Sequence, residues 1–131
     1  MMKEQKSWAK SIFAVTSFTE DLAAAKAFYQ RVFELPVEYE DAVSVVFRFG
    51  EILINLLSIS EAKELIEPEK VGSNVAGARH LFTIQVEDVD AKCAELKARG
   101  VEFSSGPINR PWGIRTANFK DPAGNIWEIA K

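Results

Sequence analysis

The stretch "TSFTEDLAAAKAFYQRVFELPVEY", residues 16–39, is answered further along the chain by "TIQVEDVDAKCAELKARGVEF", residues 83–103. Thr16 matches Thr83 and Asp21 matches Asp88, both at an offset of 67. After the helix the offset falls to 64, Val37 against Val101, as if the second helix were three residues shorter. Each copy opens on a strand, passes an Asp placed to cap a helix, and then carries apolar residues at helical spacing. These are Leu22, Ala25, Phe28, Tyr29, Val32 and Phe33 in the first copy, and Val89, Cys93 and Leu96 in the second. Pro36 and Gly100 mark the ends. A repeat of this length decides the architecture before any single element is assigned.

Working outward, strands are expected over residues 12–18, 37–40, 43–50 and 51–58, and again over 81–86, 101–103, 114–119 and 125–130. Each half then reads strand, helix, strand, strand, strand. The fold class is α+β, two tandem βαβββ modules forming a curled mixed sheet around an open cleft. One domain is expected over residues 1–131, with module 1 at about 11–58, a connector at 59–79 and module 2 at about 80–131. The connector holds the charged, helix-like "SEAKELIEPEK" and a stretch punctuated by Gly72, Ser73, Asn74 and Gly77.

An apolar content of 47 % with 27 % charged residues is that of a globular chain and unlike a disordered one. A net charge of −3 gives no electrostatic reason to expect nucleic acid or acidic membranes as partners. No apolar run approaches the roughly 18 to 20 residues that span a bilayer. The opening "MMKEQKSWAKSIF" lacks the apolar centre of a secretory signal. Cys93 is the single cysteine, which rules out an intrachain disulfide and fits a reducing cytoplasm, the expected location. On its apolar helix face Cys93 reads as a small core residue.

Strand alternation sorts the faces. Phe13 and Val15, then Phe82, Ile84 and Val86, form apolar rows that should meet the helices. So do Ile52, Ile54 and Leu56, and Trp127 with Ile129. The opposite rows are mixed and should line a wetter cleft: Ala14, Thr16 and Phe18; Leu53, Asn55 and Leu57; Leu81, Thr83 and Gln85; Ile126, Glu128 and Ala130. Asn55 and Glu128 therefore take matching places in the two halves. A buried carboxylate or carboxamide without a partner costs about 1 to 3 kcal/mol, so each needs one.

With these residues in place, the chain resembles the vicinal oxygen chelate superfamily, which includes glyoxalase I, extradiol dioxygenases and bleomycin-resistance proteins. The matching text is "FTEDLAAAKAFYQRVFELPV", "VEDVDAKCAELKARGVEF" and "PWGIRTANFKDPAGNIWEI", and the likeness runs from about residue 11 to 130. The resemblance implies paired βαβββ modules, and in metal-dependent members one His, Gln or Glu ligand on the first and last strand of each module. Such a cation acts as a Lewis acid on a chelated substrate. The equivalent positions here are Ala14, Asn55, Leu81 and Glu128. Ala and Leu offer no lone pairs and Asn is a weak ligand, so no metal is expected. The runner-up set is His80, Asn55 and Glu128. It needs a β-bulge to bring His80 round to the cleft, because strict alternation turns it to the helix side.

The resemblance then implies a cleft that binds a small organic molecule without a metal or other cofactor, in the manner of sequestering, resistance-type members, within a homodimer. The alternative is a metal-dependent lyase, isomerase or dioxygenase with Glu128 as its catalytic carboxylate. The expected cleft residues are Ala14, Thr16, Phe18, Arg48, Leu53, Asn55, Leu81, Thr83, Gln85, Trp112, Asn118 and Glu128, with Leu57 and Thr116 in the same rows. Arg48 is placed to pair with Glu128 or to meet an anionic ligand. Trp112, in the turn "RPWGIR", either stacks on a planar ligand or covers a seam. Its neighbours Arg110 and Arg115 read as solvated, and "DPAGN" reads as a turn without chemistry.

Overall fold

The computed structural model describes residues 8, 9, 11–73, 75–78 and 80–131. Most of the N-terminal stretch "MMKEQKSWAKSIF", and Asn74 of the connector, lie outside the described residues. The first module runs β1 (Ala14–Thr19), α1 (Leu22–Phe33), β2 (Val37–Glu40), β3 (Ser44–Phe49) and β4 (Ile52–Ser58). After α2 (Ile59–Ile66) come β5 (Leu81–Gln85), α3 (Val89–Ala98), β6 (Phe103–Asn109), β7 (Arg115–Lys120) and β8 (Ile126–Ala130). The strands form two four-stranded mixed sheets of identical topology, β1-β4-β3-β2 and β5-β8-β7-β6. In each, the first strand lies parallel to the last and the other pairs are antiparallel. This is the α+β, twice-repeated βαβββ arrangement expected from the sequence.

The repeat is built by the same local chemistry twice. The Asp21 carboxylate accepts from the Ala24 amide at 3.0 Å, and the Asp88 carboxylate accepts from the Ala91 amide at 3.0 Å. Each thereby satisfies an amide that the first turn leaves without a partner. At the end of α3, Gly100 takes φ +90°, and the amides of Gly100 and Val101 donate to the carbonyls of Lys97 and Leu96. That closure favours glycine, and buried Val101 then sits beside buried Leu96.

Two expectations shift. The second strand of module 2 begins at Phe103, so residues 101–102 are the helix exit, and the strand continues through "SSGPIN" to Asn109. Phe103 lies across from the core residue Phe119 as Val37 lies across from Phe47, so the true structural match is Val37 to Phe103. The offset therefore falls only from 67 to 66 across the helix, although the two helices themselves are twelve and ten residues long. The first strand begins at Ala14, and Ile12 and Phe13 before it are exposed, so Phe13 is not part of the helix-facing row.

The helix-facing rows of both sheets share one core. Tyr29 of α1 lies 5.4 Å from Phe47 of β3 and 5.9 Å from Trp127 of β8, ring centre to ring centre. Phe33 reaches Trp127 at 4.7 Å, and Phe49 stacks on Trp127 at 5.2 Å. Burying rings of this size dominates the energetics of such a core. Val45, Ile54, Leu56, Cys93, Leu96, Ala117 and Ile129 complete it. The mixed rows lie on the opposite side of each sheet from this common core.

Candidate functional site

Strand pairing sets the polar residues of the mixed faces in register. In module 1, Thr16 of β1 stands beside Asn55 of β4, which faces Val46 of β3. In module 2, Thr83 of β5 stands beside Glu128 of β8, which faces Asn118 of β7, and Asn118 in turn faces Ser105 of β6. The Thr83 hydroxyl donates to Glu128 Oε1 at 2.9 Å, and the Ser105 hydroxyl donates to Asn118 Oδ1 at 3.0 Å. Asn55 Nδ2 reaches Thr16 Oγ1 at 3.5 Å, and Asn55 Oδ1 is buried without a hydrogen-bond partner among the described residues. The polar line in module 2 thus crosses all four strands, whereas in module 1 it stops at Val46.

The remaining candidates are placed as follows. Ala14, Thr83, Gln85 and Leu81 are exposed, the last at 47 %, and Leu53 and Phe18 are half-buried. Leu57 and Thr116, by contrast, are buried. A cavity of about 450 Å³ opens between β1 and the start of β5, walled on the mixed side by Thr16, Phe18 and Ile126. Trp112 is 70 % exposed in the turn before β7. Arg48 stands on the mixed face, across from Leu53, but its guanidinium does not go to Glu128. Nε and Nη2 both donate to Glu38 Oε1, at 3.2 and 3.1 Å. A break in register between Val37 and Tyr39 leaves Glu38 outside the ladder, where it meets Arg48.

Two more arginines are bound rather than simply solvated. Arg115 donates to both Asp90 oxygens, at 2.8 and 2.9 Å, and to Asn109. That bidentate bond, with the guanidinium charge behind it, holds the Asp90 carboxyl below the usual range. Arg110 Nε donates to Thr116 Oγ1 at 2.9 Å.

The donor set for a metal can be judged from the residues themselves. Two of the four ligand positions are the hydrocarbons Ala14 and Leu81, and Glu128 is the one carboxylate. His80 lies against Phe82, ring centres 4.9 Å apart, and Phe82 packs on the core side with Trp127 at the same distance. Pairing from Leu81 to Gln85 is continuous, and the ring contact of His80 is with Phe82, not with Glu128. Among the described residues, no three His, Cys, Asp or Glu side chains converge. The residues present do not fit a divalent cation at this place.

Asp121, read as a mere turn residue, is the largest omission of the sequence reading. It is 4 % exposed, and its carboxylate accepts five hydrogen bonds. Oδ1 takes the amides of Ala123 at 3.0 Å and Asn125 at 2.9 Å, the expected turn. Oδ2 takes the Tyr29 hydroxyl at 2.7 Å, Asn125 Nδ2 at 2.9 Å and Trp127 Nε1 at 3.1 Å. Asn125 Nδ2 also donates to Ser17 Oγ at 2.7 Å. Burial first, then the neighbouring Asp121 charge, pushes the Tyr29 phenol far above the ordinary tyrosine range. The cluster ties α1 and β1 of module 1 to the β7–β8 hairpin of module 2, which marks it as structural.

Two βαβββ modules with a common core and matched polar positions on their outer faces define a paired-module protein of the glyoxalase type. The chain belongs to the Glyoxalase/Bleomycin resistance protein/Dioxygenase superfamily, whose family model matches residues 11–129. It is 30 % identical over 124 residues to the uncharacterized protein YraH of Bacillus subtilis (strain 168), covering 92 % of this chain and 97 % of that one. A crystal structure of a glyoxalase/bleomycin resistance protein/dioxygenase from Nocardioides has a TM-score of 0.82 at 23 % identity, over 92 % of this chain and 82 % of that one. That of lactoylglutathione lyase from Agrobacterium tumefaciens has a TM-score of 0.74 at 23 % identity, over 92 % of each. At those identities the two structures speak for the fold alone. Among the described residues, no helix is long and apolar enough to cross a membrane.

Proposed function

We propose that this chain binds a small organic molecule on the mixed faces of its sheets, without a resident divalent cation, as a cytoplasmic sequestering or resistance-type member of the superfamily. The observation that carries the reading is the composition of the four ligand positions, two of them hydrocarbon, together with the seating of His80 on Phe82. What remains is a face on which Phe18, Leu53 and Leu81 supply apolar contact and Thr16, Asn55, Thr83, Asn118 and Glu128 place polar groups, a combination that suits an organic ligand.

The same faces support a homodimer. They lie open on the side away from the core, and Leu81, Tyr39 and Ile108 are exposed there or at the edge strands. β1 and β5 each end their sheet with one edge unpaired. Exposed edges and apolar patches of this kind are ordinarily covered. A second copy covering them turns an open face into a cleft.

The test is metal analysis of protein purified without chelator, paired with sedimentation. Well under one divalent ion per chain and a two-chain species are expected. About one ion per chain, lost on Glu128→Ala, overturns the metal-free reading. A single-chain species that binds organic ligands overturns the dimer alone.

A further inference from the structure

We infer that the ligand meets module 2 with an N–H donor set beside a carbonyl-type acceptor, as a carboxamide or lactam does, and that anions are excluded. The inference rests on the metal-free cleft proposed above. It follows from counting the donors and acceptors along the line Thr83, Glu128, Asn118, Ser105. Thr83 has its one hydroxyl hydrogen on Glu128 Oε1, and Ser105 has its own on Asn118 Oδ1. What remains for a ligand is Glu128 Oε2, an acceptor, and Asn118 Nδ2, a donor with two hydrogens. Neither has a further partner among the described residues.

The two stand directly across the β7–β8 pair, so their Cβ atoms are about 5 Å apart. A group that offers N–H to Glu128 and C=O to Asn118 satisfies both at once. A carboxylate offers no donor and meets the Glu128 charge. No cation forms an ion pair with Glu128 among the described residues, since Arg48 is held by Glu38 and Arg115 by Asp90. Among the described residues, Arg110 is the guanidinium bonded on this face. It sits on Thr116, two residues along β7 from Asn118 or about 7 Å, with its Nε already donated. The matching line in module 1 carries Asn55 in place of the carboxylate and Val46 in place of Asn118, so the charge and the donor–acceptor pair belong to module 2.

Benzamide and benzoate test this, because they are nearly the same shape and differ in donors and charge. Each is titrated into ¹⁵N-labelled protein, following the Asn118 side-chain NH₂ and the Thr83 and Glu128 amides. Benzamide is expected to shift these signals, with benzoate at least about tenfold weaker. Glu128→Gln, close in shape, should cut that preference about tenfold, and its retained spectrum reports that it folds. If benzoate shifts the same signals as tightly as benzamide, Arg110 governs the face and the inference fails while the cleft reading stands. If neither probe moves them, the inference and the cleft reading fall together.

Discussion

The contact most open to measurement is the hydrogen bond from Tyr29 to Asp121, because it joins residues 92 positions apart and in different modules. Tyr29→Phe removes one hydroxyl, keeps the ring packing against Phe47 and Trp127, and opens no cavity. The bond is 2.7 Å long to a carboxylate, and bonds to charged groups contribute about 1.5–3 kcal/mol. Four donors stay on Asp121, so the lower half of that range is expected, about 1.5–2 kcal/mol. Asp121→Asn is the sharper change. Oδ1 faces two backbone N–H groups and Oδ2 faces three side-chain donors, so either orientation of the amide turns its NH₂ against donors. About 3–5 kcal/mol is expected, as for a broken buried charge pair. Urea unfolding followed by tryptophan fluorescence measures both variants and the double mutant. In the Asn background, losing the hydroxyl should cost close to nothing, because one opposed donor has gone. If Tyr29→Phe costs under about 0.5 kcal/mol, or the same in both backgrounds, the carboxylate does not anchor the hydroxyl and the account of the shared core is wrong.

Other outcomes follow from single groups. With its folded-state pKa raised above the ordinary 10.0, Tyr29 contributes stability that is whole below pH 10 and lost as pH rises beyond it, since only the unfolded chain then releases the proton. Absorbance titration of a Tyr39→Phe variant, which leaves Tyr29 as the single tyrosine, should therefore show the step only where circular dichroism reports unfolding, and a reversible step near pH 10 in that folded variant contradicts it. Gly106 has φ +85°, and an added Cβ there would lie 2.7 Å from Ala117 Cα and against the Thr116 carbonyl. Gly106→Ala should cost at least about 2–3 kcal/mol in denaturant unfolding, from overpacking and backbone strain together. Burial pushes the Cys93 thiol up, so native protein should react with a disulfide reagent far more slowly than urea-unfolded protein. Equal rates would place Cys93 outside the core.

What could be read from the sequence was what depends on period and on neighbours. Alternation alone placed Asn55 and Glu128 on the mixed faces, because a strand has two sides and the apolar rows leave no choice. Both helix caps were legible because the capping Asp lies three residues from the amide it accepts. The rest needed distance or irregularity. Residues 104–109, "SSGPIN", have little strand character, yet β6 forms there as an edge strand because β7 offers a ladder. Arg48 goes to Glu38 through a register break that no periodic pattern foretells. The local half of Asp121's role, its turn amides, was visible, whereas its bonds to Tyr29 and Trp127 depended on tertiary contact.

Asp121 and Glu128 sit at either end of the same hairpin arm and show why one carboxylate builds the fold while the other keeps an oxygen outside it. Asp121 precedes β8 on the core side, where burial would be prohibitive without donors, and the chain supplies five of them from both modules. Glu128 lies one residue beyond Trp127, so the pleat turns it to the other face. There it receives one hydroxyl from Thr83 and stays half-exposed, keeping an oxygen that water satisfies until something displaces it. Moving a carboxylate across the pleat would therefore not create a second site. At the core it would demand donors, and on the mixed face those of Asp121 would be out of reach. The number of hydrogen bonds already made, more than the residue type, separates the structural acid from the one for which recognition is proposed.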